Sequence, residues 1–117
     1  MRALITGAGG SIGCHLLRHL LANTDWAVIA LDSFRHKGLT DRIAMVTVKH
    51  PETLSRLKVF THDLQAPISP MLMKKIGHVD YIFNLAAMSD VDDSLEHPYF
   101  NIRANCEICL LYTSRCV

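Results

Sequence analysis

A glycine-rich segment near the start of the chain constrains the fold more than any other feature of the sequence. Residues 2–6 form a short apolar run, typical of a strand buried on both faces, and Gly7, Gly10 and Gly13 follow it. Residues 14–21 then carry apolar side chains at helical spacing. Glycine allows the backbone to turn sharply from strand to helix, and the free N–H groups at the start of that helix favour a bound anion. The segment therefore predicts a phosphate-binding turn.

An acidic residue ends the next apolar run. Residues 26–31 predict a second buried strand, and Asp32 follows it, roughly 20 residues after the glycines. A carboxylate at this point can accept hydrogen bonds from both hydroxyls of an adenosine ribose and would repel a 2′-phosphate. The pattern predicts a site for NAD rather than NADP, a preference tempered by the nearby Arg35 and Lys37. The glycine spacing is GxxGxxG and not the commoner GxGxxG, so a glycine turn without a ligand remains the alternative interpretation.

The rest of the chain continues the alternation of strands and helices. This alternation predicts an α/β fold with a parallel sheet, because right-handed crossovers place helices on both faces of the sheet. We therefore expect a Rossmann-like, doubly wound parallel sheet, truncated after about the fourth strand and the helix that follows it. The elements expected after the second strand are a short helix near 39–45, an unassigned segment at 45–48, a strand at 57–61, a helix at 71–76 that stops at Gly77, a strand at 79–85 and a helix from Pro98.

Composition and charge exclude several other classes of protein. Half of the residues are apolar, a fifth are charged and the formal net charge is +1. No apolar run approaches the ~20 residues that span a bilayer, and interspersed charges give no field for a nucleic-acid backbone. Three of the four cysteines are bunched towards one end, and the four do not form the pattern of a secreted disulfide framework. We therefore expect a cytoplasmic domain without a membrane or nucleic-acid partner.

Several motifs occur in the order expected for one known family. Residues 6–13, with the sequence TGAGGSIG, resemble the TGxxGxIG signature of the extended short-chain dehydrogenase/reductases, the NAD-dependent sugar epimerases and dehydratases. Asp32, residues 62–64 and residues 84–87 match further motifs of that family. The resemblance covers the N-terminal, cofactor-binding part of the family and implies that the cofactor is NAD.

The resemblance also implies which residues contact the cofactor, at the carboxyl ends of the predicted strands. In the family, the pair matched by Asp63 and Leu64 borders the adenine, and the stretch matched by residues 85–87 runs beneath the nicotinamide side of the cofactor. A helix cap remains the alternative role for Asp63, and plain packing remains the alternative for the two alanines. The implied cofactor-binding residues are Gly7, Gly10, Ser11, Ile12, Gly13, Asp32, Ser33, Arg35, Asp63, Leu64, Leu85, Ala86, Ala87 and Ser89.

Within the family, the resemblance is nearest to the dTDP-glucose 4,6-dehydratase type. Residues 32–38 resemble its D-x-x-T-x-x-G loop, and residues 86–94 resemble its AAESHVDRS run. Ser89 is retained and is implied to contact a nucleotide-sugar substrate as well as the cofactor. Because two of the departures exchange a basic residue for an acid, they leave the particular sugar open. The departures are Arg35 for threonine, Met88 for glutamate, Asp90 for histidine, Asp93 for arginine and Ala104 for threonine.

The catalytic pair of the family has no match in this chain. These enzymes remove hydride from a sugar carbon while the tyrosine of a Tyr-x-x-x-Lys pair takes the hydroxyl proton. Tyr81, Tyr99 and Tyr112 have no lysine four residues on, so we assign no catalytic residue. We expect the NAD-binding portion of a nucleotide-sugar dehydratase or epimerase, inactive by itself, whose whole protein pairs as a homodimer through a helix that includes residues 98–108. The alternatives are a non-catalytic dinucleotide-binding sensor or regulatory module and an NAD(P)-dependent reductase of the same fold.

The end of the sequence departs from the family. Residues 109–117, with the sequence CLLYTSRCV, resemble the translation of two transposase mosaic-end sequences joined head to head, an adapter used to prepare DNA libraries. The family would continue its helix here with leucines and alanines. We therefore predict an NAD-binding Rossmann half-domain at residues 1–108 and a non-native tail at residues 109–117.

Two short patterns suggest metal ligands. Cys106 and Cys109 form a CxxC pattern, and His15 and His19 lie one helical turn apart. The cysteines have no second pair at zinc spacing, and the histidines have no glutamate between them in an HExxH pattern. We therefore expect no metal site.

Overall fold

Four short strands pair in parallel to form the sheet of this chain, of which the computed structural model describes residues 1–36 and 38–113. The strands are β1 (Arg2–Thr6), β2 (Ala27–Asp32), β3 (Leu57–Thr61) and β4 (Tyr81–Asn84). They lie in the order β3-β2-β1-β4. The register pairs Thr6 with both Leu31 and Asn84, so β1, β2 and β4 end at the same edge of the sheet.

Helices connect the strands throughout the described residues. Each step from one strand to the next is therefore a crossover between parallel strands, as the sequence predicted. The helices are α1 (Ser11–Asn23), α2 (Leu39–Val48), α3 (Pro70–Ile76), α4 (Val91–Glu96) and α5 (Pro98–Thr113), and a 3-10 helix at Pro51–Arg56 lies between α2 and β3.

An apolar core lies on each face of the sheet. On one face, Ile5 of β1 packs with Leu17 of α1 and Ile43 of α2. On the other face, Leu4 packs with residues that include Ile76 of α3. Successive side chains of a strand point to opposite faces, so a strand covered on both sides is apolar along its whole length. This arrangement confirms the doubly wound, Rossmann-like sheet.

The structure assigns the segment that the sequence left open. Residues 45–48 continue α2, and within them the hydroxyl of Thr47 donates to the carbonyl oxygen of Ile43 at 3.1 Å. The helix α4 was not predicted, because it has only six residues and none of them is buried. Asp90 begins this helix, since its Oδ1 accepts the N–H of Asp93 at 3.0 Å. A short helix of this kind has no apolar periodicity for sequence analysis to detect.

The bounds of two strands differ from the prediction. The ladder between β1 and β4 runs from Tyr81 to Asn84, so Val79 and Leu85, the ends of the strand expected at residues 79–85, lie outside β4. Trp26 precedes β2 instead of belonging to it. Its ring stacks on that of Tyr81, with the ring centroids 5.0 Å apart and the planes 4° from parallel.

The helix α5 continues across the boundary predicted at residue 108. Residues 114–117 lie outside the described residues, so the adapter origin of residues 109–117 stays a prediction. Lys37, which was expected to temper the cofactor preference, also lies outside them. None of the helices within residues 1–36 and 38–113 has the length and apolar character needed to cross a membrane.

Candidate functional site

A cleft of about 750 Å³ opens at the carboxyl edge of the sheet. It lies between the N-terminus of α1 and the loops that follow β2, β3 and β4, and its size is within the range of cofactor pockets. The residues that the sequence predicted for cofactor binding come from all four of these segments. All fourteen line the cleft: Gly7, Gly10, Ser11, Ile12, Gly13, Asp32, Ser33, Arg35, Asp63, Leu64, Leu85, Ala86, Ala87 and Ser89. The structure thus brings the candidates together, and their contact with a cofactor stays a prediction.

Two glycines allow three segments of the backbone to meet beside the cleft. Gly7 has a φ of +66°, and a Cβ atom there would lie 2.8 Å from the backbone nitrogen of Ala86. A Cβ atom on Gly13 would lie 2.1 Å from the carbonyl oxygen of Gly7. Both distances are below any real contact of a Cβ atom. Side chains at these positions would therefore push α1 and the loop after β4 away from the end of β1.

The N-terminus of α1 is open to the cleft. Gly10 is its N-cap residue, and no side chain of the described residues caps the helix. The N–H of Cys14 donates to the carbonyl oxygen of Gly10 at 3.0 Å, so Ser11 and Ile12 precede the first intrahelical donor. Backbone N–H groups and the positive end of the helix dipole therefore border the cleft, an arrangement that suits a phosphate group.

Asp32 connects two loops of the cleft. Its Oδ2 accepts the N–H of Gly9 at 2.8 Å, and its Oδ1 accepts the N–H of Phe34 at 3.1 Å. Phe34 has a φ of 52°, a conformation that non-glycine residues seldom adopt. Each carboxylate oxygen keeps a further acceptor position, so Asp32 can also accept ribose hydroxyls. The sequence predicted that Asp32 accepts ribose hydroxyls. It did not predict that Asp32 joins the two loops, because its partners there are backbone N–H groups.

Arg35 and Asp63 form an ion pair between the loops that follow β2 and β3. The other oxygen of Asp63, Oδ1, accepts the N–H of Gln65 at 3.0 Å within a turn. No helix begins here, since α3 starts at Pro70 with Ser69 as its cap. The helix-cap alternative for Asp63 is therefore wrong, and the sequence had not paired these two residues.

Hydrogen bonds join the loop after β4 to the end of β1. The hydroxyl of Thr6 donates to Oδ1 of Asn84 at 2.5 Å and accepts the N–H of Ala86 at 3.3 Å. Ala86 also packs against the core on one face of the sheet, whereas Ala87 is exposed. Plain packing therefore accounts for part of the role of Ala86, although both alanines border the cleft.

Asn105 of α5 holds the same loop from its other side. Its side-chain amide makes two hydrogen bonds to the backbone of Met88. The sequence analysis assigned no role to Asn105. The only signal in the sequence is an asparagine at a fixed distance after the loop. That signal does not identify the contact, because the contact depends on where α5 packs.

The end of the cleft near Ser89 is acidic. Its lining includes Asp90, Asp93 and Glu96. The sequence had marked Asp90 and Asp93 only as departures from the family. Asp90 begins α4, and Oδ2 of Asp93 accepts the side-chain N–H of Asn101 at 2.8 Å. Two of the three carboxylates therefore also hold α4 and α5 in place.

The residues considered as metal ligands do not assemble. His15 and His19 are exposed on α1, and Cys106 and Cys109 are exposed on α5. Among the residues that the structure describes, no three side chains of histidine, cysteine, aspartate or glutamate form a group that could hold a metal ion.

The family model for GDP-mannose 4,6-dehydratase matches residues 4–112. The chain belongs to this family. It is thus one of the extended short-chain dehydrogenase/reductases, as the glycine signature predicted. The dTDP-glucose 4,6-dehydratase 1 of Escherichia coli K12 is 32% identical over 107 residues, which are 90% of this chain and 28% of that enzyme. The chain therefore spans less than a third of the length of this relative.

Solved structures of sugar epimerases share the fold. The UDP-N-acetylglucosamine 4-epimerase of Methanobrevibacter ruminantium M1 superposes with a TM-score of 0.75 and 25% identity, covering 98% of this chain and 33% of its own. The UDP-glucuronic acid 4-epimerase of Bacillus cereus, solved with UDP-glucuronic acid and NAD, superposes with a TM-score of 0.66 and 27% identity. That match covers 90% of this chain and 32% of the epimerase.

Proposed function

We propose that this chain is the NAD-binding portion of a nucleotide-sugar dehydratase or epimerase. The observation that carries the proposal is the uncapped N-terminus of α1, which borders the same cleft as Asp32. The helix terminus stabilises the charge of the pyrophosphate, and Asp32 accepts hydrogen bonds from the adenosine ribose. The B. cereus epimerase, whose structure contains NAD and a nucleotide sugar, supports the proposal.

The residues of the cleft fit a dinucleotide. Cβ atoms on Gly7 or Gly13 would collide with backbone beside the cleft, so glycine at these positions lets α1 and the loop after β4 pack against the end of β1 and border the cleft. Bound NAD would supply a hydride acceptor for a sugar carbon. The loop at residues 85–89 supports the nicotinamide side of the cofactor, and Ser89 hydrogen-bonds a hydroxyl of the sugar.

We place the proton-transfer step outside this chain. Tyr81, Tyr99 and Tyr112 are followed four residues on by leucine, arginine and cysteine, and none of these can act as the lysine of the pair. The chain alone is therefore expected to bind NAD and to turn over no sugar. The acidic border at Asp90, Asp93 and Glu96 disfavours a sugar that carries a carboxylate next to it.

An apolar surface supports pairing of the whole protein as a homodimer. Leu95 on α4 and Tyr99 and Ile102 on α5 are 75%, 79% and 66% exposed. Large apolar side chains exposed on neighbouring helices are a feature of interfaces. We propose that α5 takes part in the contact between two copies of the whole protein.

Titration calorimetry of NAD⁺ into the 117-residue chain tests the cofactor site. We expect one site, which Asp32→Asn weakens about tenfold or more, because the amide replaces a charged acceptor of the ribose and of two backbone N–H groups. Asp25→Asn is the matched control, since Asp25 is exposed in the connection between α1 and β2. A folded chain that binds no NAD⁺, or binds it equally well after Asp32→Asn, contradicts the proposal.

An assay of the whole protein tests the activity. Conversion of a dTDP- or UDP-sugar that depends on bound NAD supports the dehydratase or epimerase. Tight NAD binding without turnover of any nucleotide sugar instead supports a sensor or regulatory module. The two outcomes differ in the turnover of the nucleotide sugar and not in the affinity for NAD. The calorimetry of the cofactor site therefore gives its result independently of this assay.

A further inference from the structure

The ion pair between Arg35 and Asp63 crosses the end of the cleft at which Asp32 lies. Arg35 follows β2, Asp63 follows β3, and both residues line the cleft beside Asp32. The side chains of Arg35 and Asp63 are 52% and 30% exposed, so the pair stands at the mouth of the cleft and not in the core. Asp32 lines the same cleft and is only 8% exposed, so it lies deeper than the pair.

A free arginine at this position would bind a phosphate on the ribose. The guanidinium group presents several N–H donors in a plane and pairs well with phosphate oxygens. In this structure one guanidinium nitrogen of Arg35, Nη2, is already engaged by a carboxylate. The other arginine that lines the cleft, Arg42, donates to the carbonyl oxygen of Gly9 at 3.3 Å. Both arginines of the cleft therefore have partners in the protein that hold their guanidinium groups in place.

We propose that Asp63 determines cofactor specificity by holding Arg35 away from the ribose 2′-position. The inference rests on the proposed function, since it concerns the adenosine end of the same NAD site. Asp32 repels a 2′-phosphate directly, and Asp63 prevents the nearby arginine from compensating that repulsion. The chain thus keeps its selectivity for NAD although a basic residue follows Asp32 closely in sequence.

Substitution of Asp63 separates these two effects. Asp63→Asn removes the charge that holds Arg35 and keeps an oxygen that can accept the N–H of Gln65, so the local turn is preserved. Released from Asp63, Arg35 can pair with the 2′-phosphate of NADP⁺. We expect the affinity for NADP⁺ relative to NAD⁺ to rise about tenfold, the amount expected for one charge-assisted hydrogen bond.

The decisive measurement is a double-mutant cycle on the 117-residue chain. The dissociation constants of NAD⁺ and NADP⁺ are measured for the wild type, Asp63→Asn, Arg35→Gln and the double variant. In the wild-type background, we expect Arg35→Gln to change the ratio of the two dissociation constants by less than about twofold. In the Asp63→Asn background, we expect Arg35→Gln to abolish the rise in NADP⁺ affinity relative to NAD⁺. Asp63→Ser, whose hydroxyl can also accept the N–H of Gln65, repeats the test if Asp63→Asn fails to fold.

Three results overturn the inference. The first is an unchanged ratio after substitution of Asp63. The second is a gain that persists in the double variant, which would mean that Asp63 acts by repulsion alone. The third is a loss of NADP⁺ affinity after Arg35→Gln in the wild-type background, which would mean that Arg35 is already free. A wild-type chain that binds neither dinucleotide contradicts the proposed function instead, so the two failures are distinguishable.

Discussion

The side-chain amide of Asn105 pairs with both polar backbone groups of Met88. Its Oδ1 accepts the N–H of Met88 at 2.7 Å, and its Nδ2 donates to the carbonyl oxygen of Met88 at 3.1 Å. The amide thus replaces the backbone partner that a strand would have supplied to this loop. Since the loop carries Ser89 and the two alanines of the cleft, the position of α5 determines the shape of the site.

Replacement of Asn105 should loosen this loop. Asn105→Ala leaves a part-buried donor and acceptor of Met88 without partners, so we expect a loss of about 2 kcal/mol in the free energy of unfolding. NAD⁺ affinity should fall with it, because the loop must then be ordered on binding. Chemical denaturation and calorimetry measure the two effects. Arg103→Gln on the same helix is the control, because it removes only an exposed pair with Glu107. Equal effects of the two variants would exclude the anchoring role.

The two glycines nearest to the start of α1 should differ in their tolerance of alanine. A Cβ atom on Gly13 would lie 2.1 Å from the carbonyl oxygen of Gly7, whereas one on Gly10 would lie 3.2 Å from the same atom. We therefore expect Gly13→Ala to lower the free energy of unfolding by about 3 kcal/mol and Gly10→Ala by about 1 kcal/mol. Urea denaturation followed by the fluorescence of the single tryptophan measures both. A larger loss for Gly10→Ala would show that α1 does not approach Gly7 as closely as this.

The guanidinium group of Arg56 joins the 3-10 helix to the end of α1. Nη1 donates to the carbonyl oxygens of Thr24 and Trp26 at 2.8 and 3.0 Å, and Nη2 donates to that of Leu21 at 2.8 Å. We expect Arg56→Ala to lower the free energy of unfolding by about 2 kcal/mol, because part-buried carbonyl groups lose charged donors. Thermal denaturation measures the loss.

A lysine should restore only part of that stability, since an ammonium group cannot span the three carbonyl groups as a planar guanidinium does. Arg18→Ala is the matched control, because Arg18 is exposed on α1. If Arg56→Ala and Arg18→Ala melt at the same temperature, the three hydrogen bonds contribute nothing to stability.

Asp80 should make the stability of the chain depend on acid pH. The N–H of Arg2 donates to its carboxylate at 2.7 Å and holds the pKa of Asp80 below the ordinary value of 3.8, with a smaller contribution from His78. A carboxyl group whose pKa is lowered by folding stabilises the native state above its unfolded pKa, and this contribution is lost as the pH falls through the folded pKa. Asp80→Asn should therefore be less stable than the wild type at pH 7, and the difference should shrink as the pH falls below about 4.

Denaturation at a series of pH values measures this difference, with Asp25→Asn as the control for an exposed carboxylate. A difference between Asp80→Asn and the wild type that stays constant down to pH 3 would contradict the assignment of the acid-dependent stability to Asp80.

The sequence predicted those parts of the fold that depend on local patterns. The runs around Leu4 and Ile29 are apolar because the strands are covered on both faces, and that pattern is visible without a structure. The helix α4 escaped prediction, because it is held by the cap from Asp90 and by Asn101, whose side chain donates to Asp93. Contacts of that kind involve polar residues and leave no apolar period in the sequence.

The sequence by itself determined that a strand turns through glycine into a helix and that a carboxylate stands at the end of the next strand, because glycine conformations and apolar periodicity are local properties of the chain. The tertiary structure alone decided that Arg35 pairs with Asp63 and that Asn105 holds Met88. These residues are separated by 28 and 17 positions in the sequence, and they meet only because parallel strands end at one edge of the sheet and α5 packs against it. Packing, and not composition, gives these polar side chains their partners.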